Sequence, residues 1–267
     1  MAASRMLEAG WVWEGLAFDP EVDPTVYGVG EGVTYFGLSG ANFLFHPNNA
    51  TNFAKLSHVP RVTADISKWV WYPTTSADTG RHTFAQRRED APAVVAAEAE
   101  KVGRLSLDFP NVVAAYIDDT HGVCMHETYT PDTPRQIAEA LRGPNPDLDL
   151  WIVVYTHEFD REYWQDWLDY VDVINLWVWE SKNLPEIDAY IAECRELFPD
   201  QRLVMGVYMR DYTPRAPVAV DLLEIELSAI ARHLEAGTLD GYSILAACLI
   251  DQHPEQAEFI RDFIHNH

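Results

Sequence analysis

Two adjacent carboxylates, Asp118 and Asp119, end the stretch Asn111–Thr120, which reads NVVAAYIDDT. The apolar run before them stops abruptly in charge, the pattern of a strand buried on both faces. Strands of that kind carry their chemistry at the carboxyl end, where the chain leaves the sheet. Paired acids there suit proton transfer, one carboxyl kept protonated as donor and the other ionised as base or nucleophile. Side-chain alternation puts Tyr116 and Asp118 on one face and Ile117 and Asp119 on the other. Asp118 is therefore expected to look into a site, with Asp119 at its rim. The plainer alternative is that one acid caps the next helix or turn while the other pairs with an arginine.

The same alternation gives candidates on other apolar runs. Val12, Glu14 and Leu16 share a face, so Glu14 is either inward or an isolated buried acid; Asn42, Leu44 and His46 also align, with Asn48 beyond. Thr63, Asp65 and Ser67 oppose Val62, Ala64 and Ile66, which aims Asp65 inward, with Lys68 and Trp69 at the mouth. Trp151, Val153, Tyr155 and His157 align; so do Asn175, Trp177 and Trp179, leaving Glu180 on the opposite face or in the loop. Farther on, either Tyr208 and Arg210 or Met209 and Asp211 face in. Ala246, Ala247 and Cys248 are small and would leave room for a ligand. Together these residues predict a cleft of three acids (Glu14, Asp65, Asp118), two histidines (His46, His157) and several aromatics. Trp11 and Trp13 read as packing.

Eight strands are expected to position these groups. They are Trp11–Phe18, Ala41–His46, Arg61–Trp69, Asn111–Asp119, Leu148–Thr156, Asp172–Trp179, Arg202–Met209 and Gly241–Cys248. Helical patterns fill most gaps: Ala85–Arg104, Pro134–Arg142, Asp160–Tyr170, Pro185–Phe198, Val218–Ala236 and Pro254–His265. Gly237 sits where a left-handed C-terminal cap is expected. Asp19–Gly40 is glycine-rich and only weakly helical, and Tyr72–Thr83 reads as a polar insertion. Such an alternation predicts an α/β chain, a single closed (β/α)8 barrel over residues 1–267. An open doubly wound sheet normally brings fewer strands and a glycine-rich phosphate turn after the first. Gly28–Gly32 (GVGEG) follows no strand directly and lacks GxGxxG, so it reads as a flexible loop.

Composition narrows the partners. The net charge is −23, with 42 acidic against 19 basic residues. Such a surface repels nucleic-acid phosphates and anionic membranes, so neither partner is expected. No apolar run reaches the ~18–20 residues of a transmembrane helix, and no secretory signal opens the chain; a cytoplasmic protein is the expectation. Cys124, Cys194 and Cys248 stand far apart without CxxC spacing, which indicates neither a disulfide framework nor a zinc knuckle.

The eight strand–helix units, the fourth strand ending in IDD and the aromatic strand ends resemble (β/α)8 glycoside hydrolases and related uncharacterised hydrolase-like barrels. Many such enzymes carry a catalytic carboxylate at the end of strand four, where Asp118 and Asp119 lie, and a partner at the end of strand six or seven. The resemblance thus points to Glu180 or Asp211 as partner, with no Asn-Glu pair and no DxxDxDxE series at strand four. The expected function is hydrolysis of a small glycoside or oligosaccharide without a cofactor. Asp118 would be the principal acid and Asp211, Asp65 or Glu14 its partner, with Asn, His and aromatic side chains holding the sugar. The alternative is a metal-dependent lyase, isomerase or epimerase, with His46, Asp65, Asp118, His157 and Asp211 as the pool of divalent-metal ligands.

Overall fold

The computed structural model describes residues 5–15, 25–75, 80 and 82–267. Eight parallel strands close into a barrel: β1 (Gly10–Trp13), β2 (Gly40–Phe43), β3 (Arg61–Asp65), β4 (Val112–Ile117), β5 (Asp149–Tyr155), β6 (Val173–Trp177), β7 (Arg202–Tyr208) and β8 (Gly241–Leu245). Each pairs with its neighbours in sequence, and β8 closes on β1. The fold is a (β/α)8 barrel. Most observed strands stop short of the expected ends, because the described residues that follow them leave the barrel ladder. Residues 16–18 of the first expected strand, and 19–24 of the loop after it, lie outside the described residues.

The interior is filled by aromatic rings matched to glycines. Trp11 meets Trp151 from across the barrel at 4.9 Å between ring centroids. Above them Trp13 packs edge-on against Tyr116 (4.9 Å) and Trp177 (5.4 Å). A Cβ at Gly40 would lie 2.4 Å from the Trp11 ring, and one at Gly206 2.1 Å from the Trp177 ring. Those two strands give up a side chain so that a neighbour can insert a tryptophan; filling either gap overpacks the core. The rings also correct the facing of β1: Trp11 and Trp13 point inward, whereas alternation had assigned that face to Val12 and Glu14.

Outside the barrel, helices bury regular stripes. Pro92–Leu105 starts with proline in its first turn and buries Val95, Ala99 and Val102. Val220–Ala236 buries Leu223, Leu227, Ile230 and Leu234, and ends at Gly237 with φ 72°, the expected left-handed cap. Gly28–Gly32 is not a loop: it opens the helix Val29–Phe36, in which Gly30 and Gly32 are buried. The expected helix Asp160–Tyr170 contracts to Arg161–Trp164. A 3-10 segment, Ser181–Glu186, replaces the start of the expected Pro185–Phe198 helix. Among the described residues no helix is long and apolar enough to cross a membrane, and no disulfide joins the cysteines.

The largest departure follows β3. The expected polar insertion and the first residues of the expected helix Ala85–Arg104 form one antiparallel hairpin, Trp69–Thr75 against His82–Arg88. Its register pairs Trp69 directly with Arg88, so both side chains stand at its base, next to the carboxyl ends of β3 and β4.

Candidate active site

A cleft of about 220 Å³ opens at the carboxyl end of the barrel, lined by Asp118 and Asp119 together with Trp13, Trp69, Tyr155, Trp179, Tyr208 and Tyr212. Strand alternation alone would send the two acids to opposite faces. Asp119 instead takes the left-handed conformation (φ 43°, ψ 56°) as β4 gives way to the short helix Thr120–Met125. Aspartate tolerates that region better than most residues. The turn brings its carboxylate back to the cleft beside Asp118, so Asp119 is a lining residue and not only a rim residue.

The two carboxyls have different surroundings. Asp118 Oδ2 accepts one long hydrogen bond, 3.4 Å from Trp69 Nε1. Burial, the neighbouring Asp119 and then Asp65 push its pKa well above the carboxylate range, against a smaller opposing pull from Arg88 and Trp69. Asp119 is held at both oxygens: Tyr155 Oη donates to Oδ1 at 2.6 Å, and Arg88 Nη1 lies 2.7 Å from Oδ2. Arg88 reaches the pair because residue 122 is glycine. A Cβ there would stand 1.8 Å from Arg88 Nη2.

Asp65 supports the pair from below. Its Oδ1 accepts from the Ser67 amide (3.0 Å) and the Asp118 amide (3.3 Å). Ser67 Oγ lies 3.0 Å from that oxygen and 3.1 Å from the Asp118 carbonyl. Asp65 is fully buried, and its Oδ2 has no protein partner among the described residues. Burial raises its pKa.

The expected cleft of three acids and two histidines is corrected, since of those five only Asp118 lines it. Glu14 stands in a separate cluster: its Oε2 accepts from the Leu44 and Phe45 amides at 2.8 and 2.7 Å, and His46 Nδ1 lies 2.5 Å from Oε1. Lys68 donates to the Leu44 carbonyl. Asn48 Nδ2 donates to the Asp65 carbonyl (2.8 Å) and to Glu98 (3.0 Å). These residues brace the loops after β2 and β3. Trp177 packs beneath the cleft against Trp13 and Tyr208.

The partner acid implied at strand six or seven is also displaced. Asp211 is buried and saturated, taking the Ser181 amide (2.8 Å) and hydroxyl (2.5 Å) at Oδ2 and the Thr213 amide (2.9 Å) at Oδ1. Arg210 is buried beside it in the strand pair Arg210–Asp211 with Ala216–Pro217. Glu180 pairs with Lys182 at 2.9 Å and lines an adjoining recess with His157. The pool of metal ligands does not assemble either: among the described residues no three His, Cys, Asp or Glu side chains gather as a metal site.

Arg88 and Tyr212 were not singled out in the sequence. Arg88 was hidden by the expectation of a helix, although His82–Arg88 (HTFAQRR) follows the β-rich Trp69–Thr75 (WVWYPTT) closely enough in sequence to pair with it. Tyr212 sits in the loop after β7, where no periodicity operates.

No protein-family model matches the chain, and no curated protein matches its sequence. Solved structures match its fold. A candidate α-L-fucosidase from Bacteroides thetaiotaomicron aligns with a TM-score of 0.59 at 10% identity, over 99% of this chain and 96% of that one. A family GH18 chitinase from the fern Peteris ryukyuensis gives 0.55 at 10% identity, over 96% and 99%. The PgaB (BpsB) glycoside hydrolase domain from Bordetella bronchiseptica gives 0.52 at 12% identity, over 96% and 99%. At such identities the likeness establishes the barrel these glycoside hydrolases share and leaves the chemistry to be argued from the site.

Proposed function

We propose that the chain is a carbohydrate-active enzyme that hydrolyses a glycosidic bond in a small glycoside or oligosaccharide, with Asp118 as proton donor and Asp119 as the opposing carboxylate. The observation that carries this proposal is the contrast between two adjacent acids in one aromatic cleft. Glycosidic cleavage needs a protonated carboxyl to protonate the leaving oxygen and an ionised one to stabilise or attack the anomeric centre or to activate water. Asp118, its pKa raised by burial and by Asp119, keeps its proton to a higher pH than an ordinary aspartate does. Asp119 is gripped by Arg88 and Tyr155, which hold its carboxylate in place beside Asp118. Trp69, Trp179, Tyr208 and Tyr212 offer flat apolar faces to a sugar ring. Water adds its hydroxyl to the anomeric carbon, and its remaining proton replaces the one Asp118 gives to the leaving oxygen; the scheme calls for no cofactor.

The test uses aryl glycosides that differ in leaving group. Asp118→Asn should lower kcat/KM by roughly 10²–10⁴-fold on substrates whose leaving oxygen must be protonated. It should lower it much less on dinitrophenyl glycosides, whose leaving group departs as the anion. Equal loss on both would remove Asp118 from the acid role. Full turnover by both Asp118→Asn and Asp119→Asn would overturn the proposal.

A further inference from the structure

The catalytic cleft does not end at Trp179. That indole, 40% exposed, also walls a second recess of about 360 Å³ with Thr156, His157, Glu180, Asn183 and Tyr190. His157 in turn walls a third, of about 350 Å³, with His121, Glu158, Phe159, Asp160 and Tyr163. The three hollows share walls in sequence, so they adjoin one another as a trough of three recesses on the β5–β6 side of the barrel mouth.

We infer that this trough binds the continuation of an oligosaccharide chain whose scissile bond lies at Asp118 and Asp119. The substrate class is then an oligomer cleaved with sugar units on the β5–β6 side, rather than a monosaccharide carrying a small aglycone. The inference rests on the proposed hydrolytic reading for the position of the bond, and on the trough's own surface for the length.

That surface alternates ring faces with hydrogen-bonding rims. Trp179 is fixed by a near-parallel ring at Tyr212 (6.2 Å, 25°) and by edge contacts with Tyr155 (5.5 Å) and Tyr208 (6.2 Å). The exposed His157 ring lies parallel to Tyr155 at 5.4 Å and 15°. Tyr163 lies parallel to His121 at 4.8 Å and 22°, and its hydroxyl donates to the His121 carbonyl at 3.1 Å. Rings already held in place lose little freedom when a ligand stacks on them. Between them stand Asn183, Glu180, Glu158 and Asp160, whose amide and carboxylate groups can take hydroxyl hydrogens. A sugar chain has the matching pattern, with apolar ring faces and hydroxyl edges. A single sugar in the catalytic cleft would leave both outer recesses unused.

The test measures hydrolysis and binding separately, over one to six units of β-1,4-linked glucose, N-acetylglucosamine, glucosamine and xylose, and of α-1,4-linked glucose. Hydrolysis is followed with the wild type. Binding is followed with Asp118→Asn by calorimetry, so that a failure of the catalytic reading does not hide the trough. For at least one series, kcat/KM and affinity should rise at least tenfold between one or two units and four or five. His157→Ala and Tyr163→Ala should each erase roughly tenfold of that gain, at about the worth of one aromatic contact. Binding that grows with length and is lost in these variants, without turnover of any sugar, would keep the trough and discard the hydrolytic reading. Turnover independent of length, or a length effect indifferent to both variants, would overturn the trough and leave that reading standing. No binding and no turnover across the panel would overturn both.

Discussion

Glu14 and Asp118 both follow barrel strands, at the same end, Glu14 buried and Asp118 half-buried at the cleft, yet they are treated in opposite ways. Glu14 receives two backbone amides and His46. Burial pushes its pKa up, but His46, Lys68 and the Leu44 amide more than reverse this and hold it below the usual value. Asp118 receives one long bond from Trp69, and it is repelled by Asp119 and Asp65. A buried acid whose oxygens are all satisfied is a structural fastener, here tying β1 to the loop after β2. One left nearly unsatisfied beside other acids costs stability, and such arrangements persist where a proton has to be moved.

Exchanging the two charges for amides should separate these roles most widely. Asp118→Asn should cost activity by the roughly 10²–10⁴-fold already given, with no loss of stability. The sign follows from linkage. The folded pKa lies above the unfolded value, about 3.9, so between the two the folded state binds more protons and stability falls as pH rises. A neutral asparagine removes that fall. Asp118→Asn should therefore melt at or above the wild-type temperature at pH 7, and a clear drop would make Asp118 structural. Glu14→Gln should do the reverse, lowering unfolding free energy by about 1–3 kcal/mol in urea titrations with a far smaller effect on kcat/KM than Asp118→Asn.

Arg88 sharpens the comparison from the other side. Arg88→Met, which removes the ion pair with Asp119, should lower kcat/KM by roughly tenfold, about 1.4 kcal/mol. Because Arg88 pulls the Asp118 pKa down, its removal should also move the alkaline limb of the pH–rate profile upward. Gly122→Ala, which drives a Cβ into Arg88, should move that limb the same way. A downward shift would mean that Arg88 does not act on the acid pair. The smallest effect belongs to His46. Its hydrogen bond to Glu14 raises its pKa above the ordinary 6.5, so its contribution is present below the unfolded value and lost as pH rises through the folded one. His46→Gln should flatten a shallow decline in melting temperature across that window, and an unchanged slope would assign the decline elsewhere.

The barrel was legible because eight apolar runs alternate with amphipathic ones, a pattern enforced by burial along the whole chain. The position of the acid pair was legible for the same reason, since β4 has to end where its apolar run ends. What was not legible came from tertiary contacts. Trp11 and Trp13 face inward because Gly40 and the rings of Trp151, Tyr116 and Trp177 accept them, which alternation on β1 alone cannot reveal. Asp119 joins the cleft through a single left-handed residue, a change of direction that a period-two pattern does not encode. Arg88 arrives on a hairpin whose residues carry too little periodicity to be told from a helix start, and its reach depends on a glycine 34 positions away.

The central claim is that Asp118 holds a proton that an ordinary aspartate would have lost. Carbon-13 NMR of protein labelled at the aspartate carboxyls, with Asp118→Asn to assign the signal, reads that proton directly. The account predicts one carboxyl resonance that titrates well above the usual range, is absent from Asp118→Asn, and moves higher still in Arg88→Met. An Asp118 resonance that titrates near 3.9 or below would contradict it.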